Sequence, residues 1–352
     1  MITDNLPNPQ DQAQKSPTGY STQHYNTTGV AVIGESLVDI VHHGTGTTER
    51  PGGSPLNVAV GSARLGIPTT LITSFAADAH GTIISTHLTD NGVGVIEGGT
   101  SPTSTATARI DASGAARYEF SLEWDISAGM DSAARLRAQH WHAGSIAAFI
   151  SPGRDDVRSL ITAARHVSTI SFDPNCRPTI TPDRISAGQT VEELVALSDI
   201  VKASDEDIAW LYPHLDMEEV VALWLHMGAS LIVITRGASG SIAATKTTGA
   251  ASPAQPTQVV DTVGAGESFM AALLAGLQRA GALGQSNRGR ITALDTDELE
   301  TLLSYASTAA AITCSRQGAN PPTISELQKM RNAASRSLSQ DASASIPRSN
   351  TP

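Results

Sequence analysis

The stretch Asp261-Thr262-Val263-Gly264-Ala265-Gly266-Glu267-Ser268-Phe269 decides how this chain is read. Beyond it, Phe269, Ala272, Leu273, Gly276 and Leu277 recur at helical spacing, which predicts a helix with one apolar face turned inward. Its first turn, Gly264-Ala265-Gly266, has almost no side chain. The N–H groups there lack intrahelical partners, and nothing shields them from an anion. A helix start of this kind is a phosphate or oxyanion site. Glu267 follows directly, and a fixed negative charge repels phosphate unless it removes a proton from the attacking hydroxyl. An ordinary glycine-rich turn, with Glu267 favouring the helix dipole, explains the stretch equally well.

Outward from this stretch, short apolar runs alternate with helical patterns. Residues 30–33, 70–73, 140–143, 169–172, 199–201 and 231–234 read as buried strands. The alternation predicts an α/β fold with a doubly wound, mostly parallel sheet and helices on both faces. Ligands then gather at the carboxyl ends of the strands, where Glu35, Asp39, Asp173, Asn175, Ser204 to Asp207 and Thr235 to Gly240 lie. Residues 37–52 and about 98–122 break the pattern. The second segment alternates over 105–110, turns at 111–114 and resumes at 116–122, a hairpin signature that fits a small β lid or a plain edge hairpin equally. Residues 283–295 are polar and read as a surface loop. Residues 1–28, and the serine-rich end from about Asn332, read as disordered tails flanking one domain over 29–325.

The 352 residues carry a formal charge of −11 with no Lys/Arg cluster, which argues against a nucleic-acid partner. Cys176 and Cys314 are far apart, without metal-ligand spacing or a disulfide framework. No apolar run approaches the ~18 residues that span a bilayer, and the N-terminus lacks a secretory pattern. A cytoplasmic protein with no membrane partner is expected. No G-x-x-x-x-G-K-[ST] motif, H-E-x-x-H motif or Gly-x-Ser-x-Gly elbow occurs. The first predicted strand is not followed by G-x-G-x-x-G, which weakens a nicotinamide-dependent oxidoreductase reading. In Pro51-Gly52-Gly53-Ser54-Pro55-Leu56-Asn57, Ser54 is a candidate N-cap and Pro55 suits the first helical position, with Gly66 as the stop. Gly52 and Gly53 allow close backbone approach, and Asn57 offers a donor and an acceptor to a hydroxyl.

The Gly-Gly-x-x-x-Asn helix and the later D-T-x-G-A-G-x-[ST]-F run, in this order and this far apart, resemble the ribokinase-like (PfkB) carbohydrate kinases. Gly144-Ser-Ile146, Asp173-Pro-Asn-Cys-Arg177, the Ser-Asp-Glu-Asp run and Gly318-Ala-Asn-Pro-Pro322 resemble bacterial fructokinases most. The resemblance implies that Asp39, Gly52, Gly53 and Asn57 hold sugar hydroxyls, and that Arg177 sits near the substrate or the transferring phosphoryl. It implies that Gly264, Ala265 and Gly266 form the oxyanion hole with Glu267 as base. Ser204, Thr235, Gly237, Gly240 and Ser307 fall at nucleotide-binding positions. Asp207 matches a residue that organises Mg²⁺ indirectly, and Asp261 matches a monovalent-cation site that would take K⁺. The implied activity is transfer of the γ-phosphoryl of ATP to a hydroxymethyl group of a monosaccharide, fructose first, with 2-keto-3-deoxygluconate and ribose as alternatives. A homodimer paired through the lid is also implied.

The chain departs from this pattern in three places. The family's base is an aspartate where Glu267 stands, and the longer side chain moves the carboxylate by about 1.5 Å, when a 1 Å misplacement can cost ~10²-fold. The family's Asn-x-x-Glu appears as Ser204-Asp-Glu-Asp207, and a customary asparagine of the C-terminal helix as Ser307. A weakly active sugar- or nucleotide-sensing protein is therefore the competing expectation.

Overall fold

The computed structural model describes residues 29–43, 46–99, 102–110 and 116–332. The expected tail 1–28 lies outside the described residues, as does the expected tail from Asn332 except for Asn332 itself, which is helical, and so does the expected hairpin turn at 111–114.

In chain order, β1 (Val30–Ile33) leads to β2 (Leu37–His43) and β3 (Gly46–Gly52), and α1 (Ser54–Arg64) returns the chain to β4 (Thr69–Thr73). Next come α2 (Ala79–Asp90), β5 (Gly94–Glu97), β6 (Ser104–Ile110), β7 (Ala116–Ser121) and α3 (Met130–Arg135). Strands then alternate with helices: β8 (His140–Gly144), α4 (Gly153–Ala164), β9 (Thr169–Asp173), α5 (Arg184–Leu197) and β10 (Ile200–Ser204). They are followed by α6 (Asp205–Leu211), α7 (Met217–Met227), β11 (Leu231–Thr235), β12 (Ser241–Ala244) and β13 (Gly249–Ser252). Helices α8 (Ala265–Arg279), α9 (Arg288–Thr292) and α10 (Thr296–Cys314) follow, and residues 324–332 are again helical.

A nine-stranded sheet has the order β13-β12-β11-β10-β9-β8-β1-β4-β5, parallel from β11 to β5 with β12 and β13 antiparallel at one edge. All four residues of β1 are buried, and successive side chains serve opposite faces. Val30 and Val32 join the core formed with α1, α8 and α10, whereas Ala31 and Ile33 join that formed with α4. A third cluster packs β10 and β11 against α5, α6 and α7. The strand order reverses between β1 and β8, which makes their carboxyl ends the switch point where α/β sheets bind ligands.

The two irregular segments meet in a separate sheet of order β3-β2-β6-β7. Its outer pairs are antiparallel hairpins, and the central β2–β6 pair is parallel. Trp124, just after β7, is not part of this sheet's surface: it is 3% exposed, lies in the α4-side core and donates from Nε1 to the Ala147 carbonyl at 3.0 Å.

Residues 283–295, expected to be a surface loop, instead form α9 and its approach. Leu283, Ile291 and Leu294 are buried. Arg288 is the anchor: Nε donates to Asp199 Oδ1 at 2.9 Å and the guanidinium also reaches the carbonyls of Arg165 and Ser168. Asp199 Oδ2 in turn accepts from Ile170 N–H at 2.8 Å. The charge density of this segment hid an anchor whose partners lie far away in sequence. Arg288→Ala is expected to cost about 2–3 kcal/mol in urea unfolding, because it strands a buried carboxylate. A loss under 0.5 kcal/mol would mean that the contact is superficial.

Candidate active site

Helix α8 begins at Gly264, whose φ of 79° is left-handed, and a Cβ there would lie 2.6 Å from that of Ala319. No side chain caps the helix. One expected anion donor is already engaged, since Ala265 N–H bonds to the Thr262 carbonyl at 3.2 Å. Gly266 and Glu267 remain in the first turn, where helix geometry supplies no acceptor. The Asp261 carboxylate braces the approach, taking Val263 N–H at 3.1 Å on one oxygen and Gly318 N–H at 2.8 Å on the other.

Helix α1 starts beside the same end of the sheet. Gly53 rather than Ser54 is its N-cap, with φ 106° and no side-chain bond, so Ser54 is the first helical residue. Gly53 packs against the Glu35 carbonyl at the end of β1, and the chain after α1 returns to the start of β1 through the Pro68 carbonyl, which accepts from Val30 N–H. Helix α8 likewise runs from its glycine turn toward the starts of β8 and β9, where Gln139 and Thr169 meet Leu283 and Gly284. The two helices are therefore parallel. Gly61 faces Ala271 so closely that an added Cβ would sit 2.8 Å from the alanine methyl. Asn57 and Glu267 each lie four residues earlier, one turn up, and so occupy neighbouring first turns. The Asn57 side chain is largely buried, yet it makes no hydrogen bond among the described residues.

Asp39 on β2 faces Gly52 on β3, where a Cβ would come within 2.2 Å of Asp39 Oδ2, so a glycine is needed there. The Asp39 carboxylate also has no hydrogen-bond donor among the described residues, and burial pushes its pKa up to about 6. A poorly solvated carboxylate without a donor is a ready acceptor for ligand hydroxyls. Arg50, the register partner of Asp39, lies against Gly318 and links the small sheet to the loop braced by Asp261.

At the switch point, Glu35 is buried and its Oε2 accepts from Ala147 N–H at 3.1 Å. Burial raises its pKa to about 7 against the pull of its own backbone, Ser145, Ala147 and Arg177. Ser145 and Asn175 hold positive φ values of 58° and 40°, unusual for residues with a Cβ, and meet side chain to side chain at 3.4 Å. Arg177 is exposed, and its guanidinium is tied to the Asn175 and Cys176 carbonyls.

The remaining expected positions lie at the ends of β10 and β11, on α6 and on α10. Ser204 caps α6 in a capping box with Asp207. Asp207 Oδ2 accepts from Ser204 N–H and Oγ–H, and Oδ1 accepts from Cys176 N–H at 2.7 Å, so both oxygens are already used in holding the 173–177 loop. Among the described residues no three His, Cys, Asp or Glu side chains gather as a metal site. Thr235 ends β11, Gly237 and Gly240 frame the turn into β12, and Ser307 is buried on α10, which packs on β12 and β13.

Two features escaped the sequence reading. Glu35 was visible as a polar group after a strand, but its burial was not. Lys202 stands inside the buried strand β10 and pairs with Asp173, the last residue of β9. A lone lysine amid Ile200, Val201 and Ala203 was the available signal.

The profile of the pfkB family carbohydrate kinases matches residues 27–326, and the chain belongs to that family. It is 34% identical over 260 residues to a fructokinase of Rhizobium leguminosarum bv. trifolii, covering 71% of this chain and 79% of that protein. It is 30% identical over 301 residues to a fructokinase of Klebsiella pneumoniae, covering 77% and 98%. The fold matches a fructokinase of Xylella fastidiosa solved with bound ATP at a TM-score of 0.79 and 24% identity, over 88% of this chain and 99% of that one. No helix among the described residues is long and apolar enough to cross a membrane.

Proposed function

We propose that this carbohydrate kinase transfers the γ-phosphoryl group of ATP to the hydroxymethyl group of a monosaccharide, with fructose as substrate. The observation that supports the reading is the close approach of α1 and α8 at Gly61 and Ala271, one turn beyond Asn57 and Glu267. The fructokinase relatives support the choice of sugar.

In this reading Asp39 and Asn57 hold sugar hydroxyls and Arg177 lies toward the substrate. Glu267 takes the proton of the primary hydroxyl as its oxygen attacks the γ-phosphorus. The bond from that phosphorus to the bridging oxygen breaks, and ADP leaves with the electron pair. The Gly266 and Glu267 amides face the developing charge, where preorganised donors contribute most. Thr235, Gly237, Gly240 and Ser307 border the nucleotide. Mg²⁺ carried on the ATP phosphates neutralises their charge. Asp207, whose two oxygens already accept N–H and O–H bonds within the chain, would hold such an ion through water. K⁺ beside Asp261 and a homodimer through the small sheet belong to the same reading. The dimer is supported by Tyr118 and Phe120 on β7, 63% and 38% exposed, with ring centroids stacked 6.1 Å apart.

The test is coupled ADP release with Mg-ATP and K⁺ across fructose, ribose, 2-keto-3-deoxygluconate, tagatose and adenosine. Turnover is expected with fructose. Glu267→Asp is expected to alter kcat about tenfold or more at nearly constant sugar KM, because it moves only the proton acceptor. Silence from both proteins, with fructose binding intact by calorimetry, would sink the kinase activity and favour a sensing role.

A further inference from the structure

We infer that Lys202 is a positioning residue for phosphoryl transfer: its buried ammonium, anchored on Asp173 beneath the first turn of α8, supplies the counter-charge that lets the Glu267 carboxylate and an incoming phosphoryl group share that turn. The inference rests on the kinase reading above. Lys202 lies on the sheet face covered by α8, two residues along β10 from Ile200 of that core. Its Nζ donates to Asp173 Oδ2 at 2.8 Å, and the two side chains are only 5% and 4% exposed. A Cβ at Gly266 would lie 3.2 Å from Nζ. The ammonium thus touches the anion-binding turn at a residue with no side chain to keep it away.

Two electrostatic facts make this contact informative. A helix N-terminus carries about half a positive charge, so an ammonium beside it is unfavourable unless negative charge joins them. Asp173, Glu267 and Asp207 supply that charge, outweighing burial and holding the Lys202 pKa above its usual range. His142 on β8 also faces Lys202, and burial with the ammonium pushes it down to about 3, so it is neutral. Its Nδ1 shares the Ser171 hydroxyl with His140 Nε2, at 2.8 and 2.7 Å. One ammonium therefore serves three carboxylates. Without it, Glu267 would face Asp173 and Asp207 uncompensated, and a phosphate would arrive at a more negative site. A purely structural ion pair satisfies all its polar atoms. Here Asp173 Oδ1 is buried with no partner, and burial, against the pull of Lys202, raises the carboxyl to about 6.

The experiment compares wild type with Lys202→Met, Lys202→Arg and the neutral pair Lys202→Met/Asp173→Asn, all in the full chain. The neutral pair is expected to fold, to lower kcat about 10²-fold and to leave sugar KM within about threefold. In Lys202→Met, which leaves Asp173 charged beside Glu267, the acid limb of the kcat profile should move to higher pH. Lys202→Arg keeps the charge and should keep that limb in place even where kcat falls. Calorimetry with ADP plus aluminium fluoride, against ADP alone, provides a readout independent of turnover. The neutral pair should lose at least tenfold in affinity for the fluoride complex and little for ADP. Wild-type kcat in the neutral pair, an unmoved pH limb in Lys202→Met, or equal losses for both ligands would overturn the inference. If wild type itself turns over no sugar, the kinase reading fails, and the difference between the two ligands still decides the role of Lys202.

Discussion

Glu267→Gln is expected to lower kcat by about 10³- to 10⁴-fold with sugar KM changed by no more than a few-fold. The substitution keeps the shape and the hydrogen-bonding reach of the side chain and removes only its capacity to accept a proton. General-base contributions of this size are usual, and a loss confined to kcat marks an interaction made in the transition state. Steady-state ADP release against fructose decides it. A variant with wild-type kcat and raised KM would show that Glu267 binds sugar rather than deprotonating it, and would move the base elsewhere. Circular dichroism of the variant guards against a folding artefact, since Glu267 also sits favourably at the positive end of α8.

Asp39→Asn is expected to lower kcat/KM for the sugar by about 10²- to 10³-fold, mostly through KM. Charge-assisted bonds from hydroxyls to a poorly solvated carboxylate are the strong kind, and an amide cannot accept on both atoms. The same substitution should stabilise the fold, and the sign follows from the direction of the shift. Folding raises this pKa from the ordinary 3.8 to about 6, so the folded state disfavours the ionised form. That penalty is absent below about pH 4, grows as pH rises toward 6 and is complete above it. Asp39→Asn should therefore gain about 1–2 kcal/mol at pH 8 and nothing at pH 4. The shift sets a ceiling of ~3 kcal/mol, reduced here by partial solvation. Equal stabilities at pH 8 would mean that the carboxylate has found a donor. The acid limb of sugar kcat/KM in wild type should also lie near pH 6. Glu35 and Asp173 titrate nearby, at about 7 and 6, so a limb that persists in the variant belongs to them.

The sequence announced the parts of this molecule that depend on local pattern. Strands such as Val30–Ile33 and Leu231–Thr235 are short apolar runs because both their faces are covered, and the glycine turn before α8 stands out for its lack of side chains. Less legible were features made by partners distant in sequence. Arg288 finds Asp199 across 89 positions, and Lys202 finds Asp173 across 29. The parallel β2–β6 pairing was likewise hidden, because an alternating strand gives no sign of which strand it joins or in which direction. Site positions and their duties came from the family resemblance, but the bonds those residues make within the chain did not. Ser204 and Asp207 spend their polar atoms on a helix cap and a loop tie, which a four-residue motif cannot reveal.

The small sheet has a mechanical character set by its connections. Strands β2 and β3 are inserted between β1 and α1, while β6 and β7 are inserted between β5 and the segment leading to β8. Two separate excursions of the chain are thus laced together along the β2–β6 seam, and each is tied to the main body at both ends. With four connections to the main body, a displacement of one excursion is expected to carry the other with it. Asp39 lies on the seam itself, so any tilt of the sheet carries the acid with it, and cutting either outer hairpin would leave that seam intact.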